Sequence, residues 1–338
     1  MINLLNELVD GKSLTQLQAE QFFSQVIQGK VAPEFLAAML TAMKVKTESP
    51  AEIAGAAIAI RNNATAFPDL DFDVADCVGT GGDGANTINI STTAAILAAA
   101  CGLKMAKHGN RSVSSMSGSA DLLEAFGVNL MMTPATAKQC LEQANLCFLF
   151  APNYHAGFKH AAPVRKAMGI RTLFNILGPL VNPAHPKTML LGVYTPSLIN
   201  TIAQSLLLTG VKRAWVVHGS GLDEIALHGP TQVTEINNGQ LIEKTITPAD
   251  FALESYSLDD IKGGTPQENA DIIKAILSGK GQPAHNAAVI INCAALLYLH
   301  DQADNLASAA KIATEVLASG KALTTLETLV KVSQEAND

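Results

Sequence analysis

Apolar residues recur at helical spacing through the first seventy positions. Ala19, Phe22, Phe23, Val26 and Ile27 line one face of a predicted helix that Thr15 caps and Gly29 stops. Leu36, Met39, Leu40 and Met43 line a second, opened by Pro33. Ser49-Pro50-Ala51-Glu52 is a capping box with proline at the first helical position, so a third helix starts near Pro50. Phe67-Pro68-Asp69 breaks the helical run, and residues 74–78 then read as a short buried strand.

From that point strands and helices alternate. Helices are expected over 91–101, 119–126 and 134–145, and strands over 103–106, 147–150, 188–194 and 214–218. Asn237-Asn238-Gly239 marks a hairpin turn, and the last eighty residues are mainly helical. Alternation of this kind builds a mostly parallel sheet with helices on its faces. The expected organisation is therefore α/β with a separate small all-helical domain. Residues 1–70 form the helical domain, residues 71–338 the α/β domain, and a crossing segment near 165–186 joins them. That segment is rich in breakers, with Gly178-Pro179, Asn182-Pro183 and His185-Pro186.

Composition narrows the ligand. The chain has 338 residues, 48% hydrophobic and 16% charged, which is ample for a large core. A formal net charge of −7 argues against nucleic acid or an anionic membrane as partner, and the basic residues are clustered, as suits a small anion. No basic, apolar leader is read at the N-terminus, and the longest apolar run, over 94–101, is far shorter than a bilayer requires. Cys77, Cys101, Cys140, Cys147 and Cys293 lack metal spacing and sit in apolar stretches, as small buried hydrophobes of a reducing compartment. A cytoplasmic location is expected.

Three stretches carry candidate chemistry. Gly79-Thr80-Gly81-Gly82-Asp83 follows a strand; alone it fits a tight turn as well as a phosphate cradle. The hydroxyl and amide run Asn86-Thr87-Ile88-Asn89-Ile90-Ser91-Thr92-Thr93 at the next helix start favours the cradle, because helix N-termini offer free N–H groups and a favourable dipole. Lys107-His108-Gly109-Asn110-Arg111, running into Ser112, Ser114, Ser115, Ser117 and Ser119, is read as a second, basic loop; a solvated serine-rich linker is the plainer alternative. Asp223-Glu224 follows the strand over 214–218, where open α/β sheets bind ligands, although an acidic pair on a turn is often only solvated. Such a pair suits Mg²⁺, whereas His218 and His228 lack zinc spacing and read as structural.

These motifs, in this order, resemble the anthranilate phosphoribosyltransferases. The resemblance extends to Gly118-Ser119-Ala120-Asp121, to Arg165 with Gly169-Ile170-Arg171-Thr172, to the run from Asn175 through Pro183, and to Gly221-Leu222-Asp223-Glu224. It implies a homodimeric enzyme of tryptophan biosynthesis with a nucleoside phosphorylase/phosphoribosyltransferase-like two-domain fold. The implied reaction passes the phosphoribosyl group of 5-phosphoribosyl 1-diphosphate to the amine of anthranilate. Diphosphate leaves, N-(5-phosphoribosyl)anthranilate forms, and no covalent enzyme intermediate is made.

Carried over residue by residue, the pattern sets Gly79, Gly82, Asp83, Thr87, Asn89, Ile90, Ser91 and Thr92 around the sugar diphosphate. Lys107, His108, Gly109, Asn110, Arg111, Ser112, Val113, Ser114, Ser115 and Ser119 join them from the second stretch. Gly79, His108, Asn110 and Arg165 are the implied anthranilate contacts, and residues 151–155 the route by which it enters. Ser91 is implied at one Mg²⁺ and Asp223 with Glu224 at another, two ions in all. No protein nucleophile is expected, and His108 is read as binding rather than as a base. A pyrimidine nucleoside phosphorylase and a nucleic-acid-binding relative of the same fold are the rival readings.

Overall fold

Local signals set the N-terminal helices. The structure, a computed structural model, describes residues 1–112 and 116–335. Four helices open the chain: α1 (Ile2–Val9), α2 (Gln16–Ile27), α3 (Pro33–Lys46) and α4 (Pro50–Asn62). Thr15 and Ser49 both close capping boxes, with Gln18 and Glu52 as partners, so each box satisfies two end groups of its helix. Phe22, Phe23, Leu36, Met39, Leu40 and Met43 are buried together, as their spacing requires.

The alternating region begins with β1 (Ala75–Gly79), α5 (Ile90–Ala100), β2 (Met105–Gly109), α6 (Ser119–Ala125), α7 (Pro134–Ala144) and β3 (Leu146–Phe150). Three short helices follow, α8 (Ala151–Tyr154), α9 (Ala162–Met168) and α10 (Phe174–Leu177), the last two reaching into the crossing segment. Then come β4 (Thr188–Gly192), α11 (Ile199–Leu208), β5 (Arg213–Gly219), β6 (Thr231–Asn237) and β7 (Gln240–Ile246). The chain ends in α12 (Pro266–Leu277), α13 (Pro283–Leu299), α14 (Leu306–Ala318) and α15 (Lys321–Ser333). No described helix is long and apolar enough to cross a membrane.

Among the described residues the strands form one seven-stranded sheet in the order β3-β2-β1-β4-β5-β6-β7. The five strands from β3 to β5 are parallel, and β6 and β7 add an antiparallel edge. The edge hairpin turns at Asn238 and Gly239, both at positive φ (49° and 85°), the backbone that an Asn-Gly turn accommodates.

The two sheet faces bury separate cores. One face packs on α5 and the C-terminal helices through Ala94, Ile96, Phe148, Trp215, Ile291 and Leu329. The other, through Met189, Leu191, Ala214 and Val216, shares a core with α11, the crossing segment and the N-terminal helices. The helical bundle is thus bound to the sheet through Val164, Leu173, Phe174 and Leu177 as well as through its own residues. Because β2, β1, β4 and β5 are neighbours and parallel, their C-terminal ends lie along one edge of the sheet.

Candidate active site

A tight turn after β5 makes the acidic corner. Gly219 and Leu222 exchange backbone hydrogen bonds (2.9 and 3.0 Å), with Ser220 and Gly221 at positive φ. The turn throws Asp223 back over the ends of β1 and β4, where Gly79 and Gly192 pair in register. A Cβ at either glycine would collide with Asp223, so here glycine makes room for the carboxylate as much as for any ligand. Gly81 N–H donates to Asp223 Oδ2 (2.6 Å), and Ser91 N–H, in the first turn of α5, donates to Glu224 Oε1 (3.1 Å). The glycine loop and the start of α5 therefore both meet the acidic pair.

Each of these carboxylates accepts one N–H and faces other acids. Burial pushes both well above the usual carboxylate range; Asp83 raises Asp223 further, and Asp223 raises Glu224, against a pull downward from Lys107. Hard oxygen donors that repel one another are a site for a divalent cation. Among the described residues no three His, Cys, Asp or Glu side chains close a metal site by themselves, so a cation here needs oxygens from a ligand as well.

The basic stretch is only partly a loop. Lys107, His108 and Gly109 continue β2, pairing with Phe148, Leu149 and Phe150 of β3, and the loop starts at Asn110. Strand alternation then sends Lys107 and His108 to opposite faces of the sheet. Lys107 is buried beside Thr92, and its Nζ donates to the Cys77 carbonyl (2.6 Å). Arg111 points outward, paired with Asp121 (3.1 Å) and with Glu124 (2.6 Å), so its side chain holds the loop to α6. Asp121 also accepts from Ser112 and Gly118 N–H, each at 3.0 Å. Ser119 Oγ donates to the Asn110 carbonyl (3.2 Å). Val113, Ser114 and Ser115 lie outside the described residues. Asn89 Nδ2 donates to the Ser117 carbonyl (3.0 Å) and so joins the two stretches, while Asn269 of α12 donates to Asn89 Oδ1 (2.8 Å). Thr87 forms an isolated bridge with Lys262, and Ile90, buried, anchors the start of α5.

On the opposite face His108 Nδ1 lies 3.2 Å from the Gly178 carbonyl, which can only accept. Nδ1 therefore carries the proton and Nε2, buried with no hydrogen-bond partner, keeps a lone pair. His155 meets the His108 ring edge-on (5.2 Å), Phe158 meets His155 (5.9 Å), and Phe174 meets Phe158 (5.7 Å). Arg165 lies over Phe174 at 5.5 Å and makes no ion pair among the described residues. Burial lowers the His108 pKa to about 3, helped by His155, and that of His155 to about 4, so both rings are neutral near pH 7.

Asp76 stands outside the expected set, although a charge inside an otherwise apolar strand is a signal that the sequence does carry. It is fully buried, accepts from Asn182 Nδ2 (2.8 Å) and from His108 N–H (3.4 Å), and burial raises it to about 6. Asn182 Nδ2 also donates to the Ala106 carbonyl (2.7 Å), so the crossing segment is pinned to the roots of both stretches. Asn269 and the ring contacts of His155 have no readable signal, because their partners are remote in the chain.

Residues 2–64 match the family model "Glycosyl transferase family, helical bundle domain" and residues 71–323 match "Glycosyl transferase family, a/b domain". A protein of Colwellia psychrerythraea named anthranilate phosphoribosyltransferase is 72% identical over 334 residues, covering 98% of this chain and 92% of that protein. The crystal structure of anthranilate phosphoribosyltransferase from Thermus thermophilus is 38% identical with a TM-score of 0.93, covering 98% of this chain and 99% of that one. That of the Saccharomyces cerevisiae enzyme in complex with PRPP and Mg is 30% identical with a TM-score of 0.89, covering 98% and 97%. With both domains matched in order and identity this high along the whole length, the chain belongs to the anthranilate phosphoribosyltransferases of the glycosyl transferase family.

Proposed function

We propose that this protein transfers the phosphoribosyl group of 5-phosphoribosyl 1-diphosphate to the amine of anthranilate, releasing diphosphate, as a step of tryptophan biosynthesis. The observation that carries this reading is the meeting of Asp223-Glu224 with both the glycine loop and the start of α5, beside a face that holds neutral His108 and unpaired Arg165.

Departure of diphosphate leaves positive charge on the sugar ring and gathers negative charge on the leaving group. Mg²⁺, held as two ions by Asp223, Glu224 and Ser91 together with substrate oxygens, supplies charge neutralisation there when bound. The chain's own part is fixed before the substrate arrives. The N-terminal turn of α5 offers N–H groups, and Lys107 sets a cation beneath the loops at a fixed position. Thr87, Asn89, Ser91, Thr92, Ser112 and Ser119 surround the sugar phosphate with short donors. Arg165 pairs with the anthranilate carboxylate, and Asn110 orients the ring over the carbon attacked. The His108 Nε2 lone pair accepts an N–H of the amine and turns the nitrogen lone pair toward that carbon. A ring whose pKa lies near 3 is too weak a base to remove the proton before attack, so binding is its role.

We assign the protein to the cytoplasm, without nucleic acid or membrane partners, as a homodimer. Ile2, Val9, Leu17 and Val45 on the N-terminal helices are exposed and apolar, which supports a second copy covering this domain. Sedimentation at micromolar protein checks the dimer. The function is tested by the fluorescence of anthranilate: signal is lost only when anthranilate, the sugar diphosphate and Mg²⁺ are all present. Loss of thymidine with inorganic phosphate, and none with this set, would overturn the assignment in favour of a nucleoside phosphorylase.

A further inference from the structure

Arg171 sits where the crossing segment meets the glycine loop. It lies two residues beyond Gly169, whose positive φ (62°) ends α9, the helix that carries Arg165. Its Nη2 donates to the Gly82 carbonyl at 2.8 Å, and its guanidinium lies over the Tyr194 ring at 4.2 Å. Tyr194 N–H in turn donates to Thr80 Oγ1 (3.1 Å), and Thr80 N–H to the Gly192 carbonyl (3.0 Å). The loop is thus held at Thr80 by the end of β4 and at Gly82 by Arg171. Between and beyond these points the backbone is permissive, since Gly81, Gly82 and Gly84 all have positive φ and Gly81 and Gly84 are exposed.

We propose that Arg171 is a positioning residue: a latch that fixes the glycine loop to the crossing segment, so that the donor and acceptor sides of the cleft hold one geometry. The chemistry favours arginine over lysine. A planar guanidinium stacks on a ring and donates in its own plane at the same time, which an ammonium cannot do. Arg171 forms no ion pair with a carboxylate among the described residues, so its positive charge stands free beside the glycine loop that would receive an anionic substrate. A Cβ at Gly82 would meet Nη2 at 2.6 Å, so this glycine is the position at which the latch can close.

The inference rests on the reading that this loop holds the sugar diphosphate. Its test therefore includes a readout that needs no substrate. In the ligand-free protein, amide hydrogen exchange across residues 80–86 is expected to rise about tenfold in Arg171→Ala, with exchange in α13 and the Tm unchanged. In steady state the same variant is expected to raise the KM for 5-phosphoribosyl 1-diphosphate about tenfold, with the KM for anthranilate within twofold. Arg171→Lys, which keeps the charge and loses the stacked fork, is expected to behave as the alanine variant in exchange. Exchange within twofold of wild type in Arg171→Ala, or full restoration by lysine, would overturn the latch. A wild-type protein inactive with anthranilate would instead overturn the proposed reaction and leave the exchange result standing.

Discussion

Two buried acidic sites in this molecule, Glu52 and the pair Asp223-Glu224, are treated in opposite ways. Glu52 in the helical bundle is fully buried, and its carboxylate accepts from Leu14 N–H (2.9 Å), Ser49 N–H (2.7 Å) and Lys46 Nζ (2.9 Å). It joins the α1–α2 connection to the start of α4. Asp223 and Glu224 accept one N–H each and are left facing each other and Asp83. A carboxylate whose two oxygens are answered by three donors, one of them a cation, is part of the scaffold; a pair left short of donors and raised by burial and then by mutual repulsion is suited to a cation. The same side-chain chemistry is satisfied in one place and left open in the other because of what the backbone brings to it.

Removing the charge from the second cluster breaks the comparison most strongly. Asp223→Asn with Glu224→Gln is expected to lower kcat/KM about a thousandfold or more. Because the substitutions also remove repulsion, the Tm should hold or rise; a fall in Tm matching the loss of turnover would make the pair structural. Glu52→Ala is the converse. It takes the carboxylate from Lys46, the acceptor from the buried Leu14 N–H and that from the half-buried Ser49 N–H, and is expected to cost about 3 kcal/mol in denaturant unfolding, with turnover per folded molecule unchanged.

Protonation sharpens the contrast next. His155 is held neutral when folded, with a pKa of about 4, against about 6.5 in the unfolded chain, so its contribution is present above pH 6.5 and lost as pH falls toward 4. Asp76, raised to about 6, runs the other way, so the informative quantity is a difference between proteins. The stability advantage of wild type over His155→Asn is expected to shrink by about 2 kcal/mol between pH 7 and pH 5. A constant difference would mean that His155 titrates in the folded protein as it does in the unfolded chain. The smallest effect concerns the acceptor side. Arg165→Ala is expected to raise the KM for anthranilate roughly tenfold, with that for the sugar diphosphate little changed, because one charge-assisted pairing is lost.

What is legible in the chain follows the range of the interaction. The starts of α2 and α4 are readable at Thr15 and Ser49 because an N-cap and its partner lie three residues apart, that of α3 at Pro33 because proline's fixed φ suits a first helical position, and the edge hairpin at Asn238-Gly239 because its turn is two residues long. The end of β2 reads as loop and is strand. Lys107 and His108 read as part of a basic loop until the Cys77 and Gly178 carbonyls, 30 and 70 positions away, give them buried partners. Arg111 reads toward phosphate for the same reason, whereas Asp121 and Glu124 hold its side chain on α6.

The amino-acid order alone determined the helical opening, the alternation that makes a parallel sheet, and the residue types able to hold an anion and a cation, because periodicity, capping and side-chain chemistry act over a few positions. Tertiary structure alone decided that Asp223 would lie across Gly79 and Gly192, that His108 would keep a bare nitrogen, and that Arg171 would reach Gly82. Each of these depends on strands and segments far apart in the chain meeting at one edge of the sheet, and no local pattern encodes that meeting.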